Sequence, residues 1–165
     1  MIRAADGADI PGILAIWNLY VRGTTMTFAT GEKTADGVAA LIAERRGQGF
    51  EFWVAEAEGQ VLGFASYAQF RGGDGYARTL EHSVMLGPAA QGRGIGRAVM
   101  AVVEAHAFAR GGHTIYAGVS AENAGGRAFH AALGYAEVAV LAEAGWKFGR
   151  WIDLVLMQKK LGIYR

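Results

Sequence analysis

The chain contains no cysteine. That absence excludes a disulfide framework, a thiolate zinc site and a cysteine nucleophile together. Four scattered histidines offer little to a metal centre, and none is expected. Proline occurs only twice, so long runs of regular structure meet few obstacles. Neither sign of charge is in excess: 16 Lys and Arg stand against 15 Asp and Glu, a formal charge of +1. Such a balance gives no bulk attraction to nucleic acid or to an anionic membrane. No apolar run approaches the roughly 18 residues of a membrane span. The longest, residues 99–108, is broken by Glu104 and His106. The first residues carry Arg3, Asp6 and Asp9 where a signal peptide would carry an apolar core. A soluble, cytoplasmic protein is expected.

The 165 residues fit one domain, residues 1–165, and 52% apolar against 19% charged residues argue for a packed core over disorder. Glycine is the outlier, with 25 copies and no collagen-like period. It implies turns, helix ends and close approach of backbone to a ligand.

Hydrophobic periodicity divides the chain into alternating elements. Residues 1–5 form a strand. Asp9 caps a helix that carries Pro11 in its first turn and Ile10, Ile13, Leu14, Trp17 and Val21 on one face. Residues 23–31 are a polar, β-branched loop with one exposed aromatic, Phe28. Thr34 caps a second helix. Residues 50–57 and 61–70 are strands joined by a hairpin at Glu58-Gly59-Gln60. Residues 71–75 form a loop, and 78–86 a strand with Leu80, His82, Val84 and Leu86 on one face and Glu81, Ser83 and Met85 on the other. Gln91 to Gly96 open a third helix with a buried stripe of Ile95, Val99, Val102 and Val103. A strand over 113–119, a short helix over 123–133, and closing strands over 135–141 and 152–158 complete the order, with 142–151 separating the last two. The order describes a mixed α/β (α+β) domain with helices on both faces of one sheet.

The chemistry concentrates at the turn Gln91-Gly92-Arg93-Gly94-Ile95-Gly96. Its three glycines let backbone approach a ligand, and a helix start offers free N–H groups and a positive dipole end to a pyrophosphate. Arg93 and Arg97 add charge. A tight strand-to-helix turn accounts for the same glycines without a ligand. The segment lacks the Gly-Lys-Ser/Thr ending of an NTP-binding loop. Nor does an acidic residue close the next strand, as a dinucleotide-binding unit requires. A different phosphate-bearing cofactor is expected.

Those residues match the Q/R-x-x-G-x-G/A signature of GNAT-type acetyltransferases, and Asn123, Ala128 and Leu133-Gly134-Tyr135 match a second landmark of that family. The chain resembles the family over essentially its whole length. Glu81-His82-Ser83-Val84 and Lys147-Phe148-Gly149-Arg150-Trp151 resemble the branch acting on phosphinothricin and methionine sulfoximine. The resemblance implies the GNAT fold, a mostly antiparallel mixed sheet of about seven strands, and transfer of acetyl from acetyl-CoA, without a metal, to a small amino-acid-like amine. It implies that Val84, Met85 and Leu86 run beside the pantetheine and that one of their N–H groups polarises the thioester carbonyl. Gln91, Gly92, Arg93, Gly94, Ile95, Gly96 and Arg97 would hold the pyrophosphate, and Asn123 the pantetheine arm. His130 takes the place of a tyrosine common in the family, as in this branch. A homodimer is implied too, with Trp151 and residues 142–151 at the contact.

An ammonium must lose a proton before it attacks a thioester. Glu81 is the candidate base, with an ion pair to Arg78 or His82 as its structural alternative. Neutral imidazole at His130 donates, accepts or orients substrate. On the acceptor side stand Arg71, Gly72, Gly73, Glu81, His82, Ser83 and His130. A substrate carboxylate needs a cation, for which Arg71, Arg78, Lys147 and Arg150 are candidates and Arg71 is preferred. Phe28, Phe70, Tyr76 and Trp151 are candidates for the pocket wall. His106 and His113 are structural. The branch usually carries Pro and a bulky residue after the arginine, where this chain has Gly72-Gly73, and Tyr where Met85 stands. Alternatives to the small-amine acetyltransferase are acetylation of protein N-termini or polyamines, and a non-catalytic acyl-CoA sensor.

Overall fold

The computed structural model describes residues 1–162. Seven strands form one sheet in the order β1-β2-β3-β4-β5-β7-β6. They are β1 (Ile2–Ala4), β2 (Phe52–Ala57), β3 (Gln60–Gln69), β4 (Thr79–Leu86), β5 (Thr114–Ser120), β6 (Ala136–Lys147) and β7 (Arg150–Lys160). Every pairing is antiparallel except that of β4 with β5. The helices are α1 (Ile10–Gly23), α2 (Ala35–Gly47), α3 (Ile95–Ala109) and α4 (Ala124–Ala132). None is long and apolar enough to cross a membrane.

Alternation along the central strands sends side chains to two cores. On one face Phe52, Val54 and Phe64 pack beneath α1 and α2, through Ile13, Ile16, Val38 and Ile42. On the other, Trp53, Ala65, Tyr67, Leu80 and Ile115 pack against Val99, Met100, Val103 and Ala107 of α3. The buried stripe of α3 also takes in Glu104, whereas Ile95 and Val102 are only partly covered. Glu104 is tolerated there because Lys159 Nζ and the Tyr135 hydroxyl donate to its two oxygens at 2.6 and 3.1 Å. His106 is likewise structural, its Nδ1 lying 2.8 Å from the Tyr67 hydroxyl.

Four expectations need correction. Asp9 makes no cap bond to α1. Its carboxylate takes Arg3 in a two-pronged pair at 2.7 and 2.8 Å and the Asp6 N–H at 2.8 Å, while Asp6 caps the short turn ahead of the helix. A charged fork outcompetes a lone backbone N–H for the same oxygens. The third helix begins at Ile95, so residues 91–94 are a separate loop. Phe28 is half-buried, its ring lying against Gly145. Finally, 142–151 is no connection: β6 and β7 continue through it to a two-residue turn at Phe148-Gly149, with φ of 53° and 74°. A bulge between Leu141 and Gly145, with Glu143 at φ 52°, absorbs the extra residues and lets pairing resume at Gly145 with Ile152. Thr34 does cap α2, its hydroxyl accepting from Gly37 N–H at 3.1 Å.

Candidate active site

The site arises where β4 and β5 part. Their parallel ladder runs from Thr79–Thr114 to His82–Ala117 and stops, although β4 continues to Leu86 and β5 to Ser120. Two bonds fix which backbone groups face the resulting cleft. Phe70 N–H donates to Thr79 O and Gly87 N–H to Leu62 O, so odd-numbered residues of β4 exchange bonds with β3. In an antiparallel ladder the residues between them point the other way. The backbone groups of Val84 and Leu86 therefore face the cleft, and those of Met85 are spent on Phe64. All three residues line the groove, but it is the backbone of Val84 and Leu86 that turns toward it. The Leu86 carbonyl accepts the Tyr20 hydroxyl of α1 at 2.6 Å, which leaves the Val84 backbone and the Leu86 N–H turned to the cleft. Nothing in the sequence marked Tyr20 for this place.

Three adjoining cavities make a groove along this side of β4. The first, about 240 Å³, touches Glu81, His82, Ser83, Asn123 and His130. The second, about 480 Å³, shares Val84, Met85, Asn123 and His130 with it and reaches Gln91. The third, about 310 Å³, is lined by Gln91, Gly92, Gly94, Ile95, Gly96 and Arg97. At this far end Gly92 and Gly94 both sit at φ 72°, a left-handed conformation that glycine adopts without cost, and no side chain caps α3. The helix mouth keeps its N–H groups and its positive dipole end for an anion. Arg93 is exposed, its guanidinium reaching back to the Ala89 carbonyl at 3.3 Å. Gly96 must be glycine for a different reason: a Cβ would stand 2.8 Å from the Phe129 ring and 2.9 Å from Leu86. An uncapped anion mouth, a strand with free amides and an elongated groove between them fit a phosphate-bearing carrier with a peptide-like arm, as acetyl-CoA is.

Asn123 caps α4, its Oδ1 accepting from Gly126 N–H at 2.8 Å, and its amide N–H groups are left for a ligand. Gly126 has no room for a Cβ against that cap.

At the near end, no ion pair or hydrogen bond engages the Glu81 carboxylate among the described residues, which removes the structural alternative. The residue opens to solvent at the rim, yet the protein around its carboxyl displaces enough water to push its pKa up. It leans over β5 at Gly118, where a Cβ would come within 4.0 Å of Oε2. Ser83 follows on the same face. Beneath the strand, His82 is 5% exposed and His130 is 6% exposed, their rings stacked at 5.1 Å and 24°. His130 Nδ1 lies 2.7 Å from the Gly126 carbonyl. A carbonyl only accepts, so Nδ1 carries the proton and Nε2 of the neutral ring presents a lone pair. Burial lowers the pKa of His130, which makes it an acceptor at neutral pH and a poor acid. Neither ring nitrogen of His82, nor Nε2 of His130, has a partner among the described residues. Each buried polar group left so costs about 1–3 kcal/mol.

The cations distribute differently from expectation. Arg71, Gly72 and Gly73 stand in the exposed loop before β4, held by Gln69 Nε2 to the carbonyls of residues 71 and 73 at 2.6 Å, and they line none of the three cavities. The Arg71 guanidinium lies over the Tyr76 ring at 5.7 Å. Arg150 is paired with Glu122. Lys147 is buried, its Nζ donating to the Thr27 carbonyl at 2.8 Å, and so ties the loop after α1 to the β6–β7 hairpin. That loop brings Met26, Thr27 and Phe28 to the cavity wall. Of the four expected wall aromatics only Phe28 lines the cleft; Phe70 stacks on Tyr116, and Tyr76 and Trp151 are exposed.

Comparison with known proteins agrees with this geometry. Residues 13–135 match the family described as Acetyltransferase (GNAT) family. The chain is 37% identical over 160 residues to an L-methionine sulfoximine/L-methionine sulfone acetyltransferase of Salmonella typhimurium, covering 97% of this chain and 94% of that one. Among solved structures, a ribosomal-protein-alanine N-acetyltransferase from Brucella melitensis superposes with a TM-score of 0.94 at 40% identity, covering 98% of this chain and 99% of that one. A phosphinothricin acetyltransferase from Sinorhizobium meliloti in complex with acetyl-CoA gives 0.92 at 30% identity, covering 98% and 88%. With the parted strands, the uncapped helix mouth and the match across nearly its full length, the chain belongs to the GNAT family of acetyltransferases.

Proposed function

We propose that this enzyme transfers the acetyl group of acetyl-CoA to the α-amine of a small amino-acid analogue such as methionine sulfoximine, methionine sulfone or phosphinothricin. Attack is direct, in a ternary complex, with Glu81 as general base. The observation that carries the reading is the continuous groove along β4, with a carboxylate of raised pKa at one end and the anion mouth at the other. The relatives named for such acceptors support the substrate class.

In this reading residues 92–97 hold the diphosphate, and Val84 and Asn123 hold the arm. Acetyl-CoA supplies an activated acyl carbon. Glu81 takes a proton from the ammonium, directly or through one water. The amine nitrogen then bonds to the acyl carbon, the carbon–sulfur bond breaks with its electron pair going to sulfur, and the second proton lost by the nitrogen passes to that thiolate, so that CoA leaves as the thiol. Of the two strand amides turned to the cleft, Val84 N–H, the nearer in the strand to Glu81, stabilises negative charge on the carbonyl oxygen. Arg71 meets the substrate carboxylate only if its loop closes over the cleft or a second subunit completes it.

A second reading, acetylation of a protein N-terminal alanine, is favoured by the 40% identical Brucella structure. One acceptor panel read by CoA release decides between them. Methionine sulfoximine, methionine sulfone and phosphinothricin are expected to exceed an alanine-led peptide and spermidine in kcat/KM by about a hundredfold. The reverse order would replace the proposed acceptor.

The proposal includes a homodimer. Strand β6 is an edge of the sheet, and Val138, Val140 and Trp146 on it are exposed beside Phe148 and Trp151. Such an apolar edge invites a partner. Light scattering at micromolar concentration should give twice the chain mass, and a monomer mass would discard the dimer. We place the reaction in the cytoplasm, since a multiply charged CoA thioester does not cross a membrane unaided.

A further inference from the structure

His82 has no task in the reaction proposed above, yet it is the most unusual side chain near the cleft. It points away from Glu81, beneath β4, into the space between the strand and α4. Three rings or charges face it: His130 of α4 in the stack, Tyr135 at the head of β6 edge-on at 5.5 Å, and beyond Tyr135 the Glu104 carboxylate of α3, which the Tyr135 hydroxyl already bonds. Glu81 lies on the opposite face of the strand. Burial, reinforced by His130, pushes the pKa of His82 down to about 3, so it stays neutral over the working range. A neutral imidazole has one N–H donor and one acceptor, and here neither meets a protein group.

The stacked rings do not bond each other directly, because ring nitrogens bond in the ring plane and the two planes are nearly parallel. They need a partner at their common edge. Both residues line the first cavity, which passes between β4 and β5 where the ladder ends. The orphaned nitrogens are closed to bulk solvent, and one small molecule with donor and acceptor capacity held between the rings would satisfy them; water has that chemistry.

We propose that His82 is a positioning residue for acetyl transfer, holding with His130 one water at the floor of the cleft: the water donates to His130 Nε2 and, fixed between the two rings, presents its oxygen toward the substrate amine. The inference rests on the acetyltransferase reading above. Packing alone and hydrogen bonding make opposite demands on position 82. If the ring only fills space, His82→Phe keeps stacking and volume and stays near wild type, while His82→Gln is the worse variant. If the nitrogens hold the water, His82→Phe loses kcat about ten- to a hundredfold with acetyl-CoA affinity unchanged, and His82→Gln recovers much of that loss.

Ring-nitrogen NMR on the wild-type protein supplies a readout that needs neither a folded variant nor a working assay. His82 is expected neutral from pH 5 to 8 with one exchange-protected ring N–H, and His130 protonated at Nδ1. A His82 that titrates near 6.5 or exchanges freely, or a Phe variant at least as active as the Gln variant, overturns the proposal. A wild-type protein inactive on the whole acceptor panel would instead sink the substrate reading, leaving the ring-nitrogen result to stand or fall by itself.

Discussion

Glu81→Gln is expected to lower kcat by about a hundredfold or more at neutral pH, the range in which a positioned base contributes, while calorimetry finds acetyl-CoA bound as tightly as before. Acetyl-CoA binding survives because Glu81 lies at the end of the groove remote from the anion mouth and touches none of residues 91–97. The pH profile gives the sharper result. A base works ionised, so activity rises with pH through its pKa, and burial raises that pKa at Glu81. The rising limb of kcat/KM should lie above the ordinary carboxylate range in the wild type and vanish in the Gln variant. An unchanged profile would remove Glu81 from the chemistry. His130 does not rescue it as the acid partner: its proton is fixed on Nδ1 toward the Gly126 carbonyl, and burial opposes a second one.

Gly96→Val should act at the other end. The added side chain enters a space already closed by Phe129 of α4 and by Leu86, at 2.8 to 3.0 Å. Both are half-buried and line the groove, so relieving the clash turns them into the space the cofactor would use. Overpacking of this kind costs about 1–3 kcal/mol, which for a chain of this size lowers Tm by about 2–12 °C. The start of α3 must also shift, and its amides with it. Acetyl-CoA affinity should therefore fall about ten- to a hundredfold, with the acceptor KM little changed. Gly92→Ala should be milder: no atom lies within 4 Å of its Cβ, and only the left-handed φ of 72° opposes it. Thermal unfolding and calorimetry on the two variants separate steric closure from backbone strain. Equal behaviour would show that the close approach at Gly96 is not what the helix mouth depends on.

Much of this was legible in the residues. The alternation of β4 placed Glu81, Ser83 and Met85 opposite Leu80, His82 and Val84, and the structure keeps that division, with Met85 packed toward α1 and Val84 toward α3. Asn123 as the start of α4 and Tyr135 as core were equally visible. The β6–β7 hairpin was not. A bulge at Glu143 and a Phe-Gly turn carry no Asn-Gly or Asp-Gly signal, and Ala-Glu-Ala-Gly reads as a breaker when it is a bulged strand. Lys147 was equally deceptive. As a cation it suggested a substrate contact, but two chain segments far apart in sequence bury it and give it the Thr27 carbonyl.

Local pattern determined the elements, the two sheet faces and the glycine-lined helix mouth, because periodicity and glycine's steric freedom act within a few residues. Only the tertiary structure decided where the β4–β5 ladder ends, and with it that Val84 rather than Met85 offers free backbone to the cleft. Only it stacked His82 on His130 and left their nitrogens without partners. Strand splay and burial depend on contacts between segments tens of residues apart, and no local window contains them.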